Sequence, residues 1–359
     1  MRIGILTQPL HSNYGGVLQN YALQQVLEEL GHTTITIDQK KKVSLIKYLL
    51  STLKTILLRI FGKKRDFIKY TTLTKRNKDF DKFVNENITI TSSTGRLYPK
   101  IVKANQIEAL VVGSDQVWRP RYNKGRLQDM FLSFAKEMDV RRVAYAASFG
   151  VDTWEYDKSQ EKQCAELAQR FDAISVREES GITLCDKYLG VTAKKVLDPT
   201  LLLSRNKYEA LCSSVRKTET PFIFAYVLDL TPEKQMLITE VVKSKGFAAR
   251  VYSADSKASL SLEQWLSMFR DASFVVTDSF HGTCFSIIFE KDFYTIGNKH
   301  RGTARFMSLL SGFDLQNRHV DLSFVNQISI HEPIDWNVVR QLLAQQSRVS
   351  IEFLKDSLK

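Results

Sequence analysis

At 359 residues the chain exceeds the size at which one hydrophobic core stops growing, so two packed domains are expected. With 43% hydrophobic and 25% charged residues, the composition excludes a disordered chain and fits an ordinary globular protein, with an enzyme the first class to consider. Of the formal net charge of +12, a single stretch from Lys40 to Phe80 carries +11, thirteen Lys/Arg standing against Asp66 and Asp79, so the rest of the chain is nearly neutral.

In chain order, Arg2 to Leu6 reads as a strand with no basic or cleavable leader around it, which leads us to expect a cytoplasmic protein. A polar loop through His11, Asn13, Gly15 and Gly16 follows, and then a helix with Leu23, Val26, Leu27 and Leu30 at helical spacing. Gly31 suits its C-cap and Thr34 to Asp38 the next strand. Val43 to Phe61 carries an apolar stripe (Ile46, Leu49, Leu50, Leu53, Ile56, Leu57 and Ile60) interrupted by Lys47, Lys54 and Arg59. That pattern is an amphipathic helix, too short and too polar to cross a bilayer, and either lies on a membrane surface or covers the sheet. The flanking Lys40-Lys41-Lys42 and Lys63-Lys64-Arg65 favour an anionic membrane surface as partner of residues 40–65. A nucleic-acid partner is not expected, since the basic run lacks a recognised binding motif and interleaved aromatics.

Apolar runs at Ile107 to Val112, Val143 to Ala147 and Ala173 to Val176 suit strands buried on both faces of a parallel sheet. The polar stretch Ser213 to Pro221 separates this half from a second series, with strands near Phe222 to Leu228, Ala249 to Ser253, Phe274 to Thr277 and Phe293 to Ile296. Helices near Pro232 to Lys245, Leu262 to Arg270 and Thr283 to Glu290 lie between them. A helical tail from Trp336 to Leu358 can pack on either half. The expected fold is α/β, two Rossmann-like domains with a central cleft: residues 1–204 with a basic insertion at about 40–80, residues 205–335, and a C-terminal helix at 336–359. Cys164, Cys185, Cys212 and Cys284 form no CxxC pair and read as buried thiols.

Ligands in such sheets bind beyond the carboxyl ends of the strands, which singles out four loops. Asn13-Tyr14-Gly15-Gly16, with Gln19 behind it, is either a backbone anion cradle at a helix N-terminus or a plain turn. Ser114-Asp115-Gln116-Val117-Trp118 offers a carboxylate, an amide and an indole to a sugar; alternatively Ser114 or Asp115 caps a helix and Trp118 is core. Arg177 emerges from a strand end, to grip an anion or to pair with Glu178 or Glu179. Thr277-Asp278-Ser279-Phe280-His281-Gly282-Thr283 is the strongest of the four. Its glycine clears space, its threonine can donate, and His281 can move protons near neutral pH. Arg301 and Arg305 add positive charge to the same cleft. No ligand spacing supports a metal, and no GxSxG elbow supports a serine hydrolase.

Together with Tyr145-Ala146-Ala147-Ser148-Phe149-Gly150 and Leu197-Asp198-Pro199-Thr200, these blocks resemble the polysaccharide pyruvyl transferase family over Arg2 to Phe313. The resemblance implies a fold like the two-domain GT-B glycosyltransferases. It also implies transfer of pyruvate from phosphoenolpyruvate, the donor substrate with no further cofactor, to a sugar or lipid-linked oligosaccharide acceptor as a ketal. Arg177 and His281 match family positions that contact the donor, Asp115 is assigned to acceptor hydroxyls, and replacing Arg177 or His281 by Ala is expected to spare folding. Where the family often carries arginine two residues before the histidine this chain has Ser279, and Arg301 or Arg305 is expected to replace it. The rival readings are a nucleotide-sugar glycosyltransferase in the same cleft and a non-enzymatic basic adaptor at a membrane surface.

Overall fold

A computed structural model describes residues 1–39, 52, 53, 55, 56, 70–91, 98–253, 260–297, 302–323 and 332–359. Two parallel sheets organise them. The first contains β1 (Arg2–Leu6), β2 (Thr33–Thr36), β3 (Ala109–Gly113), β4 (Arg141–Ala147), β5 (Ala173–Val176) and β6 (Lys194–Lys195), in the order β2-β1-β3-β4-β5-β6. The second contains β7 (Phe222–Val227), β8 (Ala248–Ser253), β9 (Phe274–Thr277), β10 (Phe293–Ile296) and β11 (His319–Val320), in the order β11-β10-β9-β7-β8. The nine longer strands stand where the apolar runs placed them. Only the two-residue edge strands β6 and β11 escape notice, being too short to show a period.

Successive residues of a strand point to opposite faces, so a sheet covered on both sides feeds two cores. Ile3 and Ile5 of β1 and Ala109 and Val111 of β3 face one core, with helix α1 (Tyr14–Glu29); Leu6, Leu110 and Val112 face the other, with Trp118 and Phe131. The four cysteines are free and buried, and burial pushes the Cys164 and Cys185 thiols up to about 12.

In each sheet the winding reverses at one point, between β1 and β3 and between β7 and β9. There the loops diverge and leave a crevice at the strands' carboxyl ends. The two crevices face one another because the core facing α1 runs on into the second half. Tyr14 stacks on Trp265 of α8 (Leu262–Asp271) at 5.2 Å and 3°, meets Tyr226 edge-on, and donates its hydroxyl to Leu260 O at 2.7 Å. The terminal helix α11 (Trp336–Ser357) spans both halves rather than packing on one. Its Ser350 Oγ accepts from Leu197 N and its Ser357 O from Arg141, while its Arg340 pairs with Glu290 and its Gln346 donates to Gly312 O.

Of the amphipathic segment Val43 to Phe61 only Thr52, Leu53, Thr55 and Ile56 are described, and those four are helical; the rest, like most of 40–69, lies outside the described residues. No helix among the described residues is long and apolar enough to cross a membrane.

The Tyr14 stack gives the domain contact a direct test. Tyr14→Ala should cost about 3–5 kcal/mol, as for other large buried rings. Tyr14→Phe, which keeps the ring and loses one hydrogen bond, should cost about 1 kcal/mol. Urea unfolding of both variants checks this, and equal losses would mean that the stack contributes nothing.

Candidate active site

Arg177 follows directly on β5, and its backbone N–H bonds Ala147 O at 3.2 Å, so the strand end itself aims the side chain. Its guanidinium is almost fully buried. Nη1 donates to Asp198 Oδ2 at 2.8 Å, Nη2 lies 3.7 Å from Asp115 and Nε 3.5 Å from Glu178. The Phe280 ring packs 4.1 Å from Cζ, a cation–π contact that holds the plane of the fork. Four groups thus fix one cation.

Asp198 precedes Pro199, the first residue of a short 3-10 turn (Pro199–Leu202). Its two oxygens divide the work. Oδ1 caps the turn, accepting from Thr200 N at 3.0 Å and Thr200 Oγ1 at 2.7 Å. Oδ2 accepts from Arg177 and from Ser114 Oγ at 3.1 Å, and lies 3.6 Å from His281 Nε2. Burial alone would push this carboxyl up; the charges of His281 and Arg177 outweigh it and hold Asp198 well below the usual carboxylate range.

His281 comes from the other sheet. It stands in the first turn of α9 (Phe280–Ile288), which starts three residues before the expected helix. The helix begins early because Ser279 caps it, its Oγ accepting from Gly282 N at 3.2 Å. Gly282 is required for packing rather than for ligand space, since a Cβ there would stand 2.3 Å from Thr277 Oγ1. The imidazole lies against the bare backbone of α1: a Cβ on Gly15 would fall 2.1 Å from Cγ and Nδ1 of His281. Nε2 of His281 and Nε and Nη2 of Arg177 are buried and make no hydrogen bond to any described residue. Buried donors of this kind mark a place where a polar ligand fits.

Arg305, in the first turn of α10 (Ala304–Ser311), enters the same pocket. It sits 5.8 Å from the Phe280 ring, and burial together with the charge of Arg177 presses its guanidinium down to about 10, despite Glu178 and Asp115. The pocket is nevertheless not the positively charged one the sequence suggests. Among the described residues two guanidiniums and an imidazole meet three carboxylates, so the site is close to charge-balanced and its leftover donors, not its net charge, are what an anion would find.

The other sequence candidates separate into supports and core. Gln19 is buried and joins the loops after β1 and β3, donating to Thr7 Oγ1 and Gly16 O while accepting from Ser114 N. Ser114 supports Asp198 and Ala146 O. Gln116 Oε1 accepts from Arg119. Trp118 is corrected to a core residue: it is fully buried, stacks on Phe131 at 4.7 Å and donates to Met130 O, so no sugar can lie on it. Thr283 is likewise sealed, sharing its hydroxyl with Ser279 O and Thr295. Asn13 is exposed at the N-cap of α1 without a capping bond, and Gly16 packs under its side chain, so the paired glycines serve His281 and this turn rather than an open cradle. Arg301 lies outside the described residues.

Two features went unforeseen. Asp198 stands in a block that carries the family resemblance but no role read from the sequence; the signal available was Asp before Pro-Thr, a capping pattern that spends one oxygen and leaves the other. Lys234 of α7 (Pro232–Lys245) forms a buried pair with Asp278 at 2.6 Å, and Asp278 Oδ1 accepts from Leu228 N, which ties together the ends of β7 and β9 beside His281. Burial pushes the Asp278 carboxyl up against the pull of Lys234.

Residues 13–300 match the model of the family described as polysaccharide pyruvyl transferase. No curated protein is similar enough in sequence to match. Among solved structures, Arabidopsis thaliana UGT89C1 complexed with UDP-L-rhamnose superposes with a TM-score of 0.52 at 10% identity, covering 99% of each chain. UDP-N-acetylglucosamine 2-epimerase from Rickettsia bellii gives 0.47 at 10% identity, over 100% of this chain and 99% of that one. The likeness to UGT89C1 concerns the fold alone, an α/β arrangement of two parallel-sheet domains of the GT-B type.

The Gly15 contact supplies the test of this geometry. Gly15→Ala should cost about 1–3 kcal/mol of stability, because the added Cβ would also fall 2.6 Å from the His281 Cβ, which rotation of the ring alone does not clear. It should move the His281 ring resonances in histidine-labelled NMR spectra, since the imidazole must swing aside; unchanged resonances would mean that His281 does not rest on α1.

Proposed function

The chain belongs to the polysaccharide pyruvyl transferase family, and on that premise we propose that it transfers pyruvate from phosphoenolpyruvate to two hydroxyls of one sugar, forming a ketal on a cell-surface polysaccharide or its lipid-linked precursor. The observation that carries this reading is the convergence of Arg177 from the first sheet and His281 from the second on one oxygen of Asp198.

The reaction needs an acid at the donor's vinyl carbon, cations on its carboxylate and phosphate, and a base for the sugar. Protonation creates an oxocarbenium-like centre that the first hydroxyl attacks; phosphate then leaves and the second hydroxyl closes the ketal. In this reading Asp198 cannot be the acid, because a carboxyl held so far below its usual range stays ionised. It orients Arg177 through Nη1 and faces His281 Nε2, which leaves the remaining N–H groups for the donor. His281 moves the proton and touches phosphate. Arg305 takes the place of the family arginine at Ser279, a substitution its position beside the Phe280 ring supports. Asp115, on the loop after β3, serves the acceptor hydroxyls, while Glu178 is engaged by the Ser148 hydroxyl.

No cofactor beyond the donor enters this scheme. The protein acts in the cytoplasm, where a lipid-linked acceptor is met at the inner membrane face and the basic residues 40–65 would hold it there.

Assays of phosphate release and product mass, with phosphoenolpyruvate and lipid-linked or aryl galactosides, glucosides and mannosides, test the proposal. His281→Ala and Arg177→Lys should each lower kcat/KM by about a hundredfold to a thousandfold. The lysine replaces the alanine that the sequence alone would suggest, since Arg177→Ala strands buried carboxylates and should itself cost about 3–5 kcal/mol of stability. Arg305→Ala should raise the donor KM by about tenfold or more. Wild-type turnover in the His281 variant would remove it from the mechanism, and protection by UDP-sugars but not by phosphoenolpyruvate would shift the assignment to a glycosyltransferase.

A further inference from the structure

With Trp118 sealed in the core, the site as described lacks an aromatic surface for a sugar. Four residues on, Tyr122 is 43% exposed, a large ring facing solvent on an exposed turn that also carries Arg121 and Lys124. The turn that carries it is held from several sides. Asn123 Nδ2 donates to the carbonyls of Gln116, Val117 and Arg119, its Oδ1 accepts from Gln8, and Tyr122 N bonds Arg119 O. Arg119 is itself buried, bidentate to Glu155 at 3.0 and 3.1 Å and bonded to Gln116. Its guanidinium packs 5.6 Å from the Tyr122 ring centre and backs one side of the ring.

The turn also adjoins the cation pocket. A Cβ on Gly150 would stand 2.9 Å from Arg119 Cδ, and one on Gly302 would stand 2.0 Å from Gly150 O, so Arg119, Gly150 and Gly302 are successive neighbours leading to Arg305. Tyr122 lies within electrostatic reach of Arg305. A solvent-facing ring on a turn pinned by Asn123 and backed by Arg119, close enough to act electrostatically on Arg305, suits one chemistry in particular. Pyranose rings present an apolar C–H face that packs on an aromatic face, and a ring fixed before binding loses little side-chain entropy.

We propose that Tyr122 is the platform on which the acceptor pyranose stacks while its hydroxyls reach into the pocket beside Arg177 and Arg305. This rests on the sugar-acceptor reading given above. Tyr122 acts on acceptor affinity and not on the donor.

Tyr122→Ala should raise the acceptor KM by about tenfold while donor KM, kcat at saturating acceptor and the thermal midpoint stay near wild type; Tyr122→Phe and Tyr122→Trp should restore the acceptor KM. An unchanged acceptor KM in the alanine variant, or a parallel rise in donor KM, would overturn the platform. Should the wild-type protein release no phosphate with any acceptor, the pyruvyl transfer reading fails, and saturation-transfer NMR with methyl galacto-, gluco- and mannopyranosides decides the platform separately. Loss of a wild-type sugar signal in Tyr122→Ala with retention in Tyr122→Phe supports it. A signal that survives in Tyr122→Ala, or none with wild type, rejects it.

Discussion

A carboxylate removed from water stays ionised only if cations or hydrogen bonds replace its hydration, and Asp198 has both. Arg177, Ser114 and Thr200 bond its oxygens, and His281 faces Oδ2 from the opposite domain. The arrangement constrains everything near it. Removing Arg177 strands a buried charge, moving α9 takes His281 away, and unwinding the turn at Pro199 frees the carboxylate to rotate. Asp198 therefore links the strand end of β5, the loop after β3 and the first turn of α9 into one unit.

That unit demands that the two sheets keep their relation within a fraction of an ångström, and two devices answer the demand. One is the aromatic contact of Tyr14 with Trp265 and Tyr226, at the very helix start whose Gly15 supports the imidazole. The other is α11, bonded at Leu197 and Arg141 on one side and at Glu290 and Gly312 on the other. Leu197 precedes Asp198 in the chain, so the strap ends next to the residue it serves. Core packing and site geometry share the same residues here.

The fold was legible because a parallel sheet covered on both faces writes itself as short, unbroken apolar runs, and nine strands follow those runs closely. Arg177 and His281 were legible because each follows or nearly follows a strand's carboxyl end. What bound them together was not. Asp198 lies 21 residues from Arg177 and 83 from His281 in the chain, and nothing local tells a capping aspartate from one that also receives a guanidinium. Trp118 and Tyr122 show the same limit from the other side. Both follow β3, and only the stacking of Trp118 on Phe131 decides which ring is core and which meets solvent. The balance of charge was half hidden: pairing of Arg177 with Glu178 is among the readings of the sequence, but Asp115 turns toward Arg177 only in three dimensions.

The convergence of Arg177 and His281 matters for function only if the donor enters it. A crystal structure of the complex with phosphoenolpyruvate tests this most directly. The account predicts donor density between the two domains, its anionic oxygens within hydrogen-bonding distance of the Arg177 fork and of His281 Nε2, with Asp198 still bonded to Arg177. Donor density held elsewhere, with these three side chains unmoved and untouched, would contradict it.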